Sequence, residues 1–257
     1  MMKRGSAELI LIGVLATLTQ SHAADRKILV YTRNYTPDGK GYVHDNIAAS
    51  VAAIKKMGAE KGFAVDTPEG PGVFTAENLK QYSALVFSNS NNEAFANDTQ
   101  REAFKDFIES GGGFVGIHSA TGSERNWPHY WFMIGGKFLR HPPMQKFTVR
   151  VKDAGHPATA HMPANFEWED ECYLHNYLNP AMHVLLVTDP AQLKDPKRVN
   201  RPADLLGDSF PLAWTNHVER GRVFYTALGH KKEHYADPLL YKHIQAGIIW
   251  AMGDQGK

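Results

Sequence analysis

A glycine cluster, Gly111 to Gly113, leads into the short apolar run Phe114-Val-Gly-Ile117, which stops abruptly at His118-Ser119. Such a run reads as a buried strand, and the small residues after it make a tight turn that presents one polar side chain. Enzymes that hold up a nucleophile use a strand and turn of this kind. Here the presented residue is a histidine, not Ser or Cys.

The rest of the chain supplies matching elements. Ile28 to Thr32 is a compact apolar strand, followed by a polar, glycine-rich loop from Asn34 to Tyr42. Ile47, Val51, Ile54 and Met57 recur at helical spacing, so a helix is expected to start near His44 or Asp45 and to end at Gly58 and Gly62. Phe63 to Val65 is a second strand before a Pro/Gly loop, Pro68 to Gly72. Ala84 to Phe87 is a third, ending in the polar stretch Ser88 to Asn92. Asp98 or Thr99 can cap the next helix, whose Ala103, Phe104, Phe107 and Ile108 share one face. This alternation of short strands with helices and loops predicts a doubly wound, mainly parallel sheet with right-handed crossovers.

Beyond His141 the pattern changes. Phe147 to Val151 alternates like a strand with one wet face. Val184 to Val187 is apolar, and Pro190 to Asp208 is a polar loop. Leu212 to Trp214 and Arg222 to Thr226 read as a hairpin around Glu219-Arg-Gly221. The last helix runs from about Leu239 to Met252, with Trp250 a core residue. There is no repeat or clear linker, so residues 24–257 are expected to form a single domain.

At 257 residues the chain can bury a substantial core. Its first 23 residues read as a signal peptide: Lys3 and Arg4, then an apolar Leu9 to Leu18, then Ser21-His-Ala23 before Ala24. Export to the periplasm or the cell exterior is the expectation, with no stable membrane span after cleavage; the alternative is a retained anchor. Removing Lys3, Arg4 and Glu8 leaves 26 basic and 26 acidic side chains. That balance carries no electrostatic footprint for nucleic acid and points to a small or neutral partner. It leaves homo-oligomerisation open. Cys172 is the only cysteine, so an intrachain disulfide is impossible; the expectation is a structural thiol.

In a doubly wound sheet, ligands bind where the parallel strands end. The loops there carry His44, Ser88-Asn89, His118-Ser119 and, if its strand is parallel, His230. Histidines at one rim can move protons or hold zinc or a similar divalent ion. The candidate metal set is His44, His118 and His230, although the chain's 13 histidines put some at loop ends by chance. Trp168-Glu-Asp-Glu-Cys-Tyr173 is either a solvated acidic face or, with its aromatic flanks, part of a sugar-binding cleft. His141-Pro-Pro143 is a rigid turn whose histidine can reach the cleft.

Phe114 to Thr121, Trp127, Gly135-Gly136, His141 to Gln145, His156-Pro157, Asp170-Glu171, Tyr173 and Gly221 to His230 together resemble the ThuA-like (trehalose utilization) family, in order over about Ile28 to Gly253. The resemblance implies a flavodoxin-like three-layer α/β sandwich, similar to class I glutamine amidotransferases, and a link to trehalose-type sugars through keto-sugar derivatives. Those amidotransferases carry a nucleophilic Cys where this chain has His118, so thioester chemistry is not expected. The leading expectation is an exported enzyme acting on a carbohydrate, possible without metal or with one. His118, His230 and Glu171 would be its catalytic residues, and His44, Ser119, Trp127, His141, Asp170 and Tyr173 would contact substrate. The rivals are a non-catalytic sugar-binding module and, more weakly, an amidohydrolase using Cys172.

Overall fold

The computed structural model describes residues 26–197 and 209–253; the expected signal segment and residues 198–208 of the polar loop lie outside them. In chain order the strands are β1 Lys27–Tyr31, β2 Asn34–Tyr35, β3 Ala64–Asp66, β4 Ala84–Ser88, β5 Asn91–Asn92, β6 Gly113–Ile117, β7 Gly136–Arg140, β8 Gln145–Val151, β9 Asn165–Asp170, β10 Leu174–Leu178, β11 His183–Thr188, β12 Phe210–Val218 and β13 Gly221–Thr226. The helices are α1 Ile47–Lys61, α2 Ala76–Leu79, α3 Asp98–Glu109, α4 Pro128–Ile134 and α5 Pro238–Ala251. No described helix is long and apolar enough to cross a membrane.

Nine strands form one sheet in the order β3-β1-β4-β6-β13-β12-β11-β8-β9. The first five are parallel. Numbered among themselves along the chain they lie 2-1-3-4-5, the flavodoxin-like arrangement expected. Each remaining strand is antiparallel to its neighbour. Four reversals return β9 to the direction of the parallel group, so Asp170 leaves the sheet at the edge where β1, β4, β6 and β13 also end. Strand spacing alone would put β9 roughly 19 Å from β13 in a flat sheet. Yet the Asp170 carboxylate is 2.8 Å from the Gly229 amide, so the antiparallel half curls back over that edge.

Strand alternation divides the core into two faces. Ile28, Val30, Val86, Val115, Ile117 and Phe224 pack with Ile54 and Met57 of α1 and Leu240, Ile244 and Ile248 of α5. Leu29, Tyr31, Leu85, Phe87, Phe114 and Tyr225 pack with Phe104 and Ile108 of α3 and Tyr130 and Ile134 of α4. The result is three layers. Trp250 is nearly buried, its ring 5.3 Å from that of His156.

Several boundaries differ from expectation. Helix α1 starts at Ile47 behind Asn46, whose side chain makes no cap bond; its amide nitrogen donates instead to the carbonyls of Gly229 and His230. Gly58 does not end α1; it lies inside it, where a Cβ would come 2.5 Å from the Phe63 carbonyl. Gly62, at φ 71°, makes the left-handed stop. Asn97, not Asp98 or Thr99, caps α3 by accepting from the Gln100 amide. The acidic cluster at Glu167 to Asp170 belongs to β9, whose charged residues suit a sheet edge. The β7–β10 ribbon was not anticipated either.

Helix α5 also buries a titratable group. His243 donates through Nδ1 to the Ala158 carbonyl at 2.7 Å and is fully enclosed. Burial pushes its pKa down to about 4. An unfolded histidine titrates near 6.5. Between about pH 6.5 and 4, therefore, the unfolded chain takes up a proton the folded chain refuses, and about 3 kcal/mol of stability is lost as pH falls. Urea midpoints at pH 7.5 and 4.5 should show this, and His243→Leu should flatten the difference; an unchanged difference would assign it to other groups.

Candidate functional site

His118 sits where β6 ends and a 3₁₀ turn, His118–Gly122, begins. Its φ is +52°, a left-handed conformation uncommon for a residue with a side chain and costly by about 1–3 kcal/mol. Strain of this kind persists where the surroundings over-determine it. Here they do: Tyr225 Oη donates to the His118 carbonyl at 2.8 Å, and the Tyr173 ring lies 4.3 Å from the imidazole. His118 Nδ1 is 2.7 Å from the Ala227 carbonyl. A carbonyl only accepts, so Nδ1 carries the proton and Nε2 faces the site with its lone pair.

His230 lies in the turn after β13, the strand beside β6. Both carbonyls of Gly229 and His230 accept from the Asn46 side chain, at 2.7 and 2.6 Å. The two amides donate to Asp170, at 2.8 and 3.3 Å. Asp170 is fully buried and also accepts from Trp168 Nε1 and the Glu171 amide, at 2.9 and 2.8 Å. The carboxylate expected to touch substrate thus lies beneath the site, where it fixes the backbone of both His230 and Glu171.

Three neighbouring carboxylates take three directions. Glu169 points outward to Lys231, at 2.6 Å. Asp170 points inward. Glu171, just past the end of β9, reaches the histidines: its Oε2 is 3.1 Å from His230 Nδ1 and 3.5 Å from His118 Nε2, and its Oε1 is 3.4 Å from His141 Nε2. His118 Nε2 and His230 Nδ1 are 3.3 Å apart. His44 completes the group, its ring 4.9 Å from that of His118 and 5.3 Å from that of His230. One ligand-type atom from each of His44, His118, Glu171 and His230 lies within 4.8 Å of all the others.

The electrostatics follow from enclosure and proximity. Burial opposes charge on Glu171, but the closeness of His118 and His230 outweighs it and holds the carboxyl well below the usual range. A hydrogen bond to Glu171 raises the His230 pKa against the effect of burial. Burial, then the neighbouring His118 and His230, push His44 down to about 3, so it stays neutral. Ser119 Oγ donates to the Ser90 carbonyl at 3.0 Å and lies 3.4 Å from His44 Nδ1. With its one proton on Ser90, the hydroxyl accepts from His44 Nδ1, leaving Nε2 as that ring's electron-pair donor.

Other residues fall outside this group. Trp127 packs against Phe95 and Phe104, ring centroids 6.0 and 6.3 Å away, in the layer of α3 and α4. Tyr173 is buried, stacked between His118 and His141 as a support. Cys172 is fully buried. Asn46 and Tyr235, which sequence reasoning did not single out, hold the His230 turn; Tyr235 Oη donates to the Gly229 carbonyl at 2.9 Å. Tyr42 was also passed over: it is 61% exposed, with its ring 4.8 Å from that of His44. Two aromatic residues flanking loop histidines, Tyr42 before His44 and Tyr235 after His230, were the available signal.

Comparison with known proteins agrees with this architecture. A family model described as ThuA, trehalose utilisation, matches residues 27–251. A putative ThuA-like protein from Bacteroides uniformis is 25% identical, with a TM-score of 0.70 over 90% of this chain and 93% of its own. One from Parabacteroides merdae is 18% identical, with a TM-score of 0.65 over 90% and 91%. A β-galactosidase from Rahnella sp. R3 shares the fold at 12% identity and a TM-score of 0.53; the match covers 90% of this chain but 32% of that one. Among curated proteins none matches.

Proposed function

Because the chain belongs to the ThuA (trehalose utilisation) family, we propose that it is an enzyme acting on trehalose-type or keto-glycoside sugars through its histidine–carboxylate centre. The observation that carries this is the convergence of Glu171 with His118 and His230 at one strand edge. A keto-sugar has an acidic C–H beside its carbonyl. Removing that proton needs a base, and the developing enolate oxygen needs a partner. The Nε2 lone pair of His118, turned toward the site, suits the first task. His230, the neighbour whose pKa is raised, suits the second. Loss of a leaving group from the next carbon gives elimination; reprotonation gives isomerisation. Tyr42, exposed beside His44, offers an aromatic face for the sugar ring.

The strained backbone at His118 marks it as a functional position, in catalysis or in binding. The test is incubation with keto-glycosides and their parent sugars, followed by chromatography of the products. Conversion of the keto forms is expected. Saturable binding without conversion would leave a sugar-binding module instead. Export belongs to the same proposal, on the basic start and apolar run of residues 1–23. N-terminal mass spectrometry of the protein from the native cell envelope should find a chain beginning near Ala24; an intact Met1 would refute cleavage.

A further inference from the structure

We infer that the centre binds one divalent transition-metal ion of the zinc type, with His44, His118, His230 and Glu171 as its ligands. The inference rests on the proposed activity only for its catalytic meaning, since it concerns the same site.

Three edges of the group define a triangle. His230 Nδ1 to Glu171 Oε2 is 3.1 Å, His118 Nε2 to His230 Nδ1 is 3.3 Å, and His118 Nε2 to Glu171 Oε2 is 3.5 Å. Ligands at about 2.0–2.2 Å from a tetrahedral zinc lie roughly 3.3–3.5 Å from one another, so the triangle is close to the face of such a polyhedron. The proton count points the same way. His118 Nδ1–H is committed to the Ala227 carbonyl and His44 Nδ1–H to Ser119 Oγ. Both rings therefore turn lone pairs, not protons, toward a carboxylate oxygen that also carries lone pairs. His230 Nδ1–H can answer only one of its two acceptors well. A cation at the centre answers all of them.

The surroundings have the character of an outer shell. Each Nδ1–H contact fixes a tautomer and a ring orientation, and Asp170 fixes the backbone that carries His230 and Glu171. His44 and His118 are buried, whereas the side chains of His230 and Glu171 are 18% and 14% exposed, so on that side the coordination can expand to a fifth ligand from substrate. Three imidazoles favour zinc and its neighbours over magnesium or calcium, which prefer oxygen. Bound there, the ion would supply Lewis acidity toward a sugar carbonyl, and His118, His230 and Glu171 would then act as ligands rather than as proton donors or acceptors.

Wild-type protein stripped with a chelator and dialysed separately against Zn²⁺, Mn²⁺ and Mg²⁺ should retain one equivalent of zinc per chain and no magnesium. Glu171→Gln, close to isosteric, and His230→Ala should weaken zinc binding by more than the roughly 10–100-fold that outer-shell changes cost, while circular dichroism without metal shows both folded. Sub-stoichiometric zinc in the wild type, or unchanged affinity in both variants, would overturn the inference. Turnover by fully metal-free protein would strip the bound ion of its catalytic meaning and leave the proposed activity standing. Stoichiometric zinc with no turnover of any sugar would do the reverse.

Discussion

Replacing His118 by alanine is expected to lower kcat on a keto-glycoside by about 10²–10⁴-fold, the range lost with a positioned proton-transfer or electrostatic group. Binding of the sugar should change only a few-fold. His118 is fully buried, held by Tyr225, Ala227 and Tyr173, and aims Nε2 at Glu171. Its loss removes a reacting-centre group without removing Tyr42 or His141, which lie nearer the open side. Alanine tolerates φ +52° poorly, so His118→Asn is the matched control, as asparagine visits the left-handed region more readily. Both variants should lose turnover alike. A pure sugar-binding module would instead show a modest, parallel fall in affinity and no turnover in the wild type.

The position of His118 was legible because a strand ending in a lone polar residue has few uses, and neighbouring parallel strands must end together. His44 and His230 followed from the same edge. The acidic cluster could be seen but not resolved. Which of Glu169, Asp170 and Glu171 faces the histidines depends on alternation along β9 and on the curl of the antiparallel half, and neither has a local signature. Asp170 was consequently placed against substrate rather than beneath the site. Trp127 was misjudged for a related reason: it follows the His118 turn closely in sequence, but α4 turns it into the Phe95–Phe104 layer. The parallel half was readable from apolar runs, whereas β7, β9 and β10, rich in charged and polar residues, were not.

Trp214→Ala is expected to cost about 3–5 kcal/mol, the usual range for deleting a large buried aromatic. Trp214 is fully buried in β12, and its ring lies 4.4 Å from that of Tyr225 and 5.3 Å from that of His175. Its Nε1 donates to the Ile134 carbonyl at 2.7 Å, so truncation leaves a buried acceptor as well as a cavity. The site cannot collapse easily. Gly135, at φ +92°, ends α4 in a conformation that suits glycine, and a Cβ on Gly136 would already come 3.1 Å from the indole. At roughly 2–4 °C per kcal/mol for a chain of this size, the melting temperature should fall by about 6–20 °C. A fall under about 3 °C in a calorimetric scan would mean the neighbours refill the space.

The tether between the Asn46 side chain and the His230 carbonyl joins positions 184 apart in the chain. His118 meets the Ala227 carbonyl across 109 positions, and Asp170 meets the His230 amide across 60. Contacts of such separation are slow to close, because chain entropy must be overcome before they reward it. A ribosome-bound chain not yet extended to His230 can already pair its early parallel strands, yet it lacks the complete histidine–carboxylate cluster. The cluster therefore forms only once His230 is in place, and in refolding the proposed activity should return after the secondary structure.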